Sequence, residues 1–214
     1  WNMISPKLAF QRFTHGIGFG DVNDDGKMDI LEATGWWEQP QVLDGKGPWK
    51  KHDAAFGKGG AQMYVYDVNA DGKPDVITSL AAHGYGLAWM EPTVDGWKQH
   101  LITGTPEEAG ETGIIFSQPH AIELADMNGD GMLDIVTGKR FWAHGKGGDP
   151  EPNAPAVVWW FELKRDSGAA SYVPHLIDND SGIGCQFTVT DLNGDKKPDI
   201  VVGNKRGAFV HLRQ

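Results

Sequence analysis

The chain has 214 residues, with 29 Gly, 12 Pro and 9 Trp, a balance that favours a turn-rich all-β protein over a helical bundle. A formal charge of -10 without runs of Lys or Arg argues against a nucleic-acid partner. No stretch reaches the ~20 apolar residues of a membrane span, and the lone Cys185 rules out an internal disulfide.

The chain opens on Trp1 rather than Met, as expected of a processed or excised piece. Trp1–Ile4 reads as an isolated strand. After it one pattern repeats four times, starting at Asp21, Asp67, Asp126 and Asp191, 46, 59 and 65 residues apart. That is the scale of a four-stranded propeller blade. Each copy is a short Asp-rich loop between two apolar or alternating segments, read as strand, tight loop, strand. The pairs are Ile17–Gly20 with Ile30–Thr34, Met63–Tyr66 with Val76–Leu80, Ile122–Ala125 with Ile135–Gly138, and Phe187–Thr190 with Ile200–Gly203.

Further strands are expected at Gly86–Met90 and Trp97–Ile102, at Val157–Leu163 and Tyr172–Ile177, and at Ala208–Leu212. The expected fold is therefore an all-β β-propeller of four-stranded antiparallel blades, about four in this chain. The units run over about 11–57, 58–104, 113–180 and 181–214, after an N-terminal strand in 1–10 that either closes the ring on the last blade or belongs to a larger propeller.

The loops carry oxygen donors at alternate positions, the set a hard divalent cation takes. The first offers Asp21, Asn23, Asp25 and Asp29 with the Lys27 carbonyl, and the second Asp67, Asn69, Asp71 and Asp75 with Lys73. The third offers Asp126, Asn128, Asp130 and Asp134 with Met132, and the fourth Asp191, Asn193, Asp195 and Asp199 with Lys197. Calcium is expected at about four sites. Gly26, Gly72 and Gly131 stand where the loop turns sharply, and Lys196 replaces that glycine in the fourth loop. An EF-hand is the rival reading, but Pro74, Pro198 and the β-branched runs after the loops would spoil its exiting helix.

These motifs resemble the FG-GAP or VCBS repeat family, whose repeats carry Asp-x-Asn-x-Asp-Gly-x-x-Asp-Ile. The resemblance covers nearly the whole chain. It implies calcium-binding propeller blades, often about seven to a ring, in proteins working outside the cytoplasm: secreted, periplasmic or at the bacterial surface. Related propellers include sugar-binding lectins, integrin α heads and the propeller domain of aldos-2-ulose dehydratase, a lyase acting on keto-sugars, so the fold does not choose a function.

If the Asp loop joins the first two strands of each blade, the start of the first strand and the end of the second share the opposite rim. Six positions before the first loop Asp stand His15, Ala61, His120 and Cys185, with Gln62 and Gln186 next to them. Just past the second strand come Trp36, Trp37, His83, Lys139, Arg140, His144, Lys205 and Arg206. His15, His83, His120 and His144 are candidates to hold zinc or another transition metal, or to act as base, with Lys139 or Arg140 steadying an enolate. Trp36 and Trp37 are candidates to stack on a sugar ring, with Gln62 and Gln186 as further contacts. Packing within the channel is the bland reading of the same residues.

The function expected first is binding of sugars or glycans at this rim, opposite the calcium loops; the alternatives are a metal-dependent lyase acting on an oxidised sugar and a protein-interaction module. An incomplete ring would also favour self-association.

Overall fold

A computed structural model describes residues 3–6, 15–142, 144–145 and 147–214. The described chain is all-β, with fifteen strands and no helix, so no helix is long and apolar enough to cross a membrane. The strands form four successive antiparallel meanders. The first holds β1 (Ile17–Gly20), β2 (Asp29–Glu32), β3 (Gly35–Glu38) and β4 (Lys50–Asp53). The second holds β5 (Gln62–Tyr66), β6 (Asp75–Ser79), β7 (Leu87–Thr93) and β8 (Gly96–Thr103). The third holds β9 (Ile122–Ala125), β10 (Asp134–Gly138), β11 (Val158–Asp166) and β12 (Ala169–Asp178). The fourth has three strands, β13 (Phe187–Thr190), β14 (Asp199–Asn204) and β15 (Gly207–His211).

The first strands of neighbouring meanders adjoin. β1 pairs in parallel with β5, Ile17 opposite Gln62 and Gly18 opposite Met63, which merges two meanders into one eight-stranded sheet. The approach needs glycine: a Cβ on Gly18 would stand 2.2 Å from the Met63 carbonyl oxygen, and one on Gly20 2.5 Å from Val65 Cβ. β9 lies against β5 on one side and β13 on the other.

Side chains of the second strands alternate with period two, and the two inner ones, β6 and β10, are buried on both faces, as a layer between two others requires. Val76 packs toward the first meander with Leu31, Trp36, Phe56 and Met63, while its neighbour Ile77 packs toward the third with Leu87, Ile122, Ile135 and Phe161. Val136, next to Ile135, joins Ile183, Phe187, Ile200 and Val202 of the fourth. The core is thus three apolar layers, one between each pair of meanders.

The ninth residue of every Asp loop is a wholly buried carboxylate at the start of a second strand: Asp29, Asp75, Asp134 and Asp199. One oxygen accepts the amide just past the loop's first Asp, from Val22, Val68, Met127 or Leu192 at 2.8–3.0 Å. The other reaches across the third strand to Gln39, Leu163 or Arg213 at 2.8–2.9 Å. In the second meander that position is Pro92, which has no N–H, and Asp75 Oδ1 is left without a partner.

The rest of each loop is held by side-chain oxygens accepting backbone amides. Asp21 accepts from Asp25 and Gly26, Asn23 from Asp25, and Asp25 from Lys27, at 2.7–3.2 Å. The same bonds recur in the other loops. Lys196 takes the left-handed conformation of the glycine it replaces, φ +67°, and its amide still reaches Asp191 Oδ2 at 3.0 Å.

A second repeated unit ties third strands to fourth. Trp36, Trp89 and Trp160 stand opposite His52, His100 and His175, with rings stacked 3.9–4.2 Å apart. Each imidazole Nε2 meets the glutamate two residues beyond the tryptophan, Glu38, Glu91 or Glu162, at 2.6–2.9 Å. Among the described residues the fourth meander has no fourth strand, and exposed Val210 and Leu212 fill the corresponding places.

Of the expected N-terminal strand only Met3–Pro6 are among the described residues. Met3–Pro6 are not in a strand, and the Ile4 carbonyl accepts the Trp49 amide at 2.6 Å, within the first meander rather than the last. Trp1, Asn2 and residues 7–14 lie outside the described residues. Among the described residues no strand pairing joins the fourth meander to the first.

Pro92→Ala supplies the missing amide. Relieving a buried unsatisfied acceptor is worth about 1–3 kcal/mol, against about 0.4–1 kcal/mol lost by loosening the unfolded chain. The variant is therefore expected to melt a few degrees higher by circular dichroism. His100→Ala removes a stacked pair worth about 1 kcal/mol, so its melting temperature should fall by about 2–4 °C.

Candidate functional site

The Asp loops occupy one end of the meanders, and the starts of first strands and ends of second strands occupy the other. Loop length after the second strand differs sharply between meanders. Ala33–Thr34 and Lys205–Arg206 are two-residue turns, whereas residues 80–86 and 139–157 form long connections after β6 and β10. The long connections bring His83, Arg140, His144 and Asp149 over the starts of β1, β9 and β13, where His15, His120 and Cys185 wait.

Gln118 fixes this convergence. It is fully buried and left-handed, φ +62°. Its amide donates to the Gly84 carbonyl at 2.6 Å, and its own carbonyl accepts the amides of His120 at 2.8 Å and Arg140 at 3.0 Å. One residue's backbone therefore locks the three segments that carry His83, His120 and Arg140. On the far side, Ile183 donates to the Lys139 carbonyl and accepts from Phe141, setting Cys185 beside Arg140. Ala82 donates to Gly59, and Gly59 lies so close to His15 that a Cβ there would be 2.8 Å from its carbonyl oxygen.

The result is a cavity of about 460 Å³ lined by His15, His83, His120, Arg140, His144, Gly148 and Cys185. One ring nitrogen from each of His15, His83 and His120 lies within 4.8 Å of the others. Nε2 of His15 and Nε2 of His83 are 3.0 Å apart. The His120 ring sits edge-on to both, and neither of its buried nitrogens has a hydrogen-bond partner. Arg140, itself 7% exposed, sets Nη2 3.1 Å from His83 Nδ1 and Nη1 3.1 Å from Cys185 Sγ.

Burial, reinforced by the Arg140 charge, lowers the pKa of all three imidazoles, to about 4 for His83 and His120. They are neutral at pH 7, the form that ligates metal. His144 is exposed, with its Nδ1 2.8 Å from the buried Asp149 Oδ1, while the second Asp149 oxygen accepts the His144 amide at 2.9 Å. Its ring lies 4.8 Å from that of His83. A carboxylate-anchored imidazole of this kind leaves Nε2 for proton transfer.

Other expected residues fall elsewhere. Trp36 and Trp37 are 7% and 6% exposed and belong to β3, because the turn at Ala33–Thr34 returns the chain into the sheet before the rim is reached. They pack in the core and stand opposite His52 and Lys51, so they are not sugar platforms. Lys139 is 2% exposed, and its ammonium donates to the Ser117 hydroxyl and, at 3.2 Å, to the Pro150 carbonyl. It braces the loop bearing Asp149 from behind the cavity and does not face a substrate. Gln62 is half-buried, its Oε1 accepting the Ile122 amide at 3.0 Å. Gln186 is exposed and lines a neighbouring cavity.

Five residues in and around the site carried no signal in the sequence. Asp149 and Gly148 lie far along a loop, Gln118 acts through its backbone, and Phe141 and Trp142, stacked at 4.9 Å in that neighbouring cavity, follow no repeat.

In the Asp loops the donors are hard oxygens, and each carboxylate oxygen that accepts an amide keeps a lone pair for a cation. The three carboxylates of a loop do not converge as the histidines do, because the ninth turns away to its backbone amides. No protein-family model and no curated protein matches the chain.

Proposed function

We propose that the protein is a metal-dependent lyase acting on an oxidised sugar, with zinc or a similar transition metal held by His15, His83 and His120. The carrying observation is the convergence of three neutral imidazoles, one of them with both buried nitrogens unpartnered. Tetrahedral zinc at about 2.0–2.1 Å from each nitrogen needs nitrogens about 3.3 Å apart, close to the spacing of His15 and His83. Three imidazoles with an open position are the donor set of a catalytic rather than a structural centre.

When bound, such a metal polarises a carbonyl oxygen of the substrate. His144, oriented by Asp149, takes the proton from the carbon next to that carbonyl. The C–H electrons form the C=C bond as the bond to a β-hydroxyl breaks. That oxygen leaves as water, carrying the proton returned by the imidazolium. Arg140 steadies the negative charge that develops on the carbonyl oxygen. Burial of Trp36 and Trp37 removes the aromatic contacts on which simple glycan binding at this rim was expected to rest.

The four meanders, joined through their first strands, fit blades of a β-propeller of the FG-GAP or VCBS type. Calcium in loops such as Asp21, Asn23 and Asp25 with the Lys27 carbonyl accords with their donor chemistry, and extracytoplasmic work accords with calcium supply there. A β15 edge unpaired among the described residues, with exposed Ile17 and Phe19, fits self-association.

Zinc titration followed by calorimetry is expected to give one site per chain. His120→Ala should weaken it at least about 100-fold, while His100→Ala, outside the cavity, should leave it intact. Equal zinc binding by wild type and His120→Ala would end the metal reading. Stripping all metal with a chelator, removing the chelator and restoring zinc alone is expected to leave the melting temperature several degrees below that of protein restored with both zinc and calcium, since a site saturated 100-fold above its Kd contributes about 2.7 kcal/mol. An unchanged melt would end the calcium reading.

A further inference from the structure

Arg140 and Cys185 line two cavities. Beyond them, away from the histidines, lies a second space of about 340 Å³ lined also by Phe141, Trp142, Gln186, Asn204 and Lys205. We propose that this cavity is the recognition subsite for a sugar acid, a polyhydroxylated ring bearing a carboxylate, whose reacting carbons extend past Arg140 toward the three histidines. The inference rests on the lyase reading for the direction of the substrate, but not for the binding itself.

Three observations carry it. The first is charge. The lining includes the cations of Arg140 and Lys205 and no carboxylate, although the chain as a whole carries a formal charge of -10. A local positive concavity on an acidic protein selects an anion, and a planar guanidinium suits a carboxylate.

The second is the aromatic wall. Phe141 and Trp142 stack with only 13° between their planes, and Trp142 Nε1 is anchored on the Pro152 carbonyl at 2.8 Å. The Arg206 guanidinium lies over the Phe141 ring at 5.0 Å, and the rigid aromatic surface left beside it gives contact area to the C–H side of a ring at little entropic cost.

The third is the division of polar roles. The Asn204 amide is committed to the fold, donating to the Ser181 carbonyl at 2.6 Å and accepting the Arg206 amide at 2.8 Å. Among the described residues the exposed Gln186 amide has no such bond, so its donor and acceptor are available to hydroxyl groups. A site with paired cations, an aromatic wall and a free amide is built for an anion that also has hydroxyls and an apolar face. It is poorly built for inorganic phosphate or a plain hydrocarbon.

The test uses D-glucuronate, with D-glucose as the neutral control, titrated into the intact chain by calorimetry with and without zinc. Glucuronate is expected to bind at least about tenfold more tightly than glucose, and Lys205→Gln and Phe141→Leu are each expected to weaken it about tenfold while zinc affinity stays unchanged. Lys205 is exposed, so its substitution leaves the fold intact even if Phe141→Leu does not. Equal affinity for the two sugars, or glucuronate binding indifferent to both substitutions, would overturn the subsite while leaving the metal centre untouched. Conversely, glucuronate preference that persists in a His15→Ala/His120→Ala variant lacking zinc would support the subsite even where the metal reading fails.

Discussion

The buried carboxylate at the head of each second strand is the interaction on which the architecture depends. A charged or protonated oxygen pair inside a sheet is costly unless both oxygens find donors. Here the donors are backbone amides from the loop that precedes the strand and from the strand that follows it. One side chain thereby fixes the tight loop, the register of the first hairpin and the crossing of the next. Because it recurs, the meanders are near copies, and their second strands stack face to face through three apolar layers. Pro92 is the exception that measures the rule. Where the amide is missing, burial and the nearby Asp71 and Asp67 charges raise the Asp75 pKa to about 7, above the value of about 6 for Asp134, whose oxygens are both satisfied.

Function is separated from that frame by loop length. The tight Asp loops must hold the same shape in every meander, so their end of the sheet is uniform. At the opposite end the connection after the second strand is unconstrained by the carboxylate, and two of the four grow long. Those two carry His83, Arg140, His144 and Asp149, while the invariant starts of the first strands supply His15 and His120. The site is therefore a meeting of two kinds of residue, some placed by the repeat and some by departures from it.

That distinction explains what could be read from the sequence. Strands flanking the Asp motifs were legible because period-two apolar patterns and fixed loop chemistry specify them locally, and the spacing of His15 and His120 ahead of the motif placed both at one end. The third and fourth strands of the first meander were not legible: Lys50–Asp53 is polar throughout, and nothing local announces that a two-residue turn at Ala33–Thr34 sends Trp36 and Trp37 into the core. The stacked His52, His100 and His175 have no local signature, because their partners lie across a strand pair, at separations of 9 to 16 residues fixed only by hairpin length. Gln118 and Asp149 were silent for a different reason. Their roles are set by backbone conformation and by a long loop's path, which composition and periodicity do not encode.

Gln118 also makes the cavity's parts mechanically interdependent. Its peptide group clasps the strand-start bearing His120, the connection bearing Arg140 and the turn beside His83, with no slack residue between them. A displacement at any one of these is thus shared by the other two as a common movement. The backbone beneath His83, His120 and Arg140 therefore shifts as one unit, and only side-chain rotation can adjust one of the three without the others.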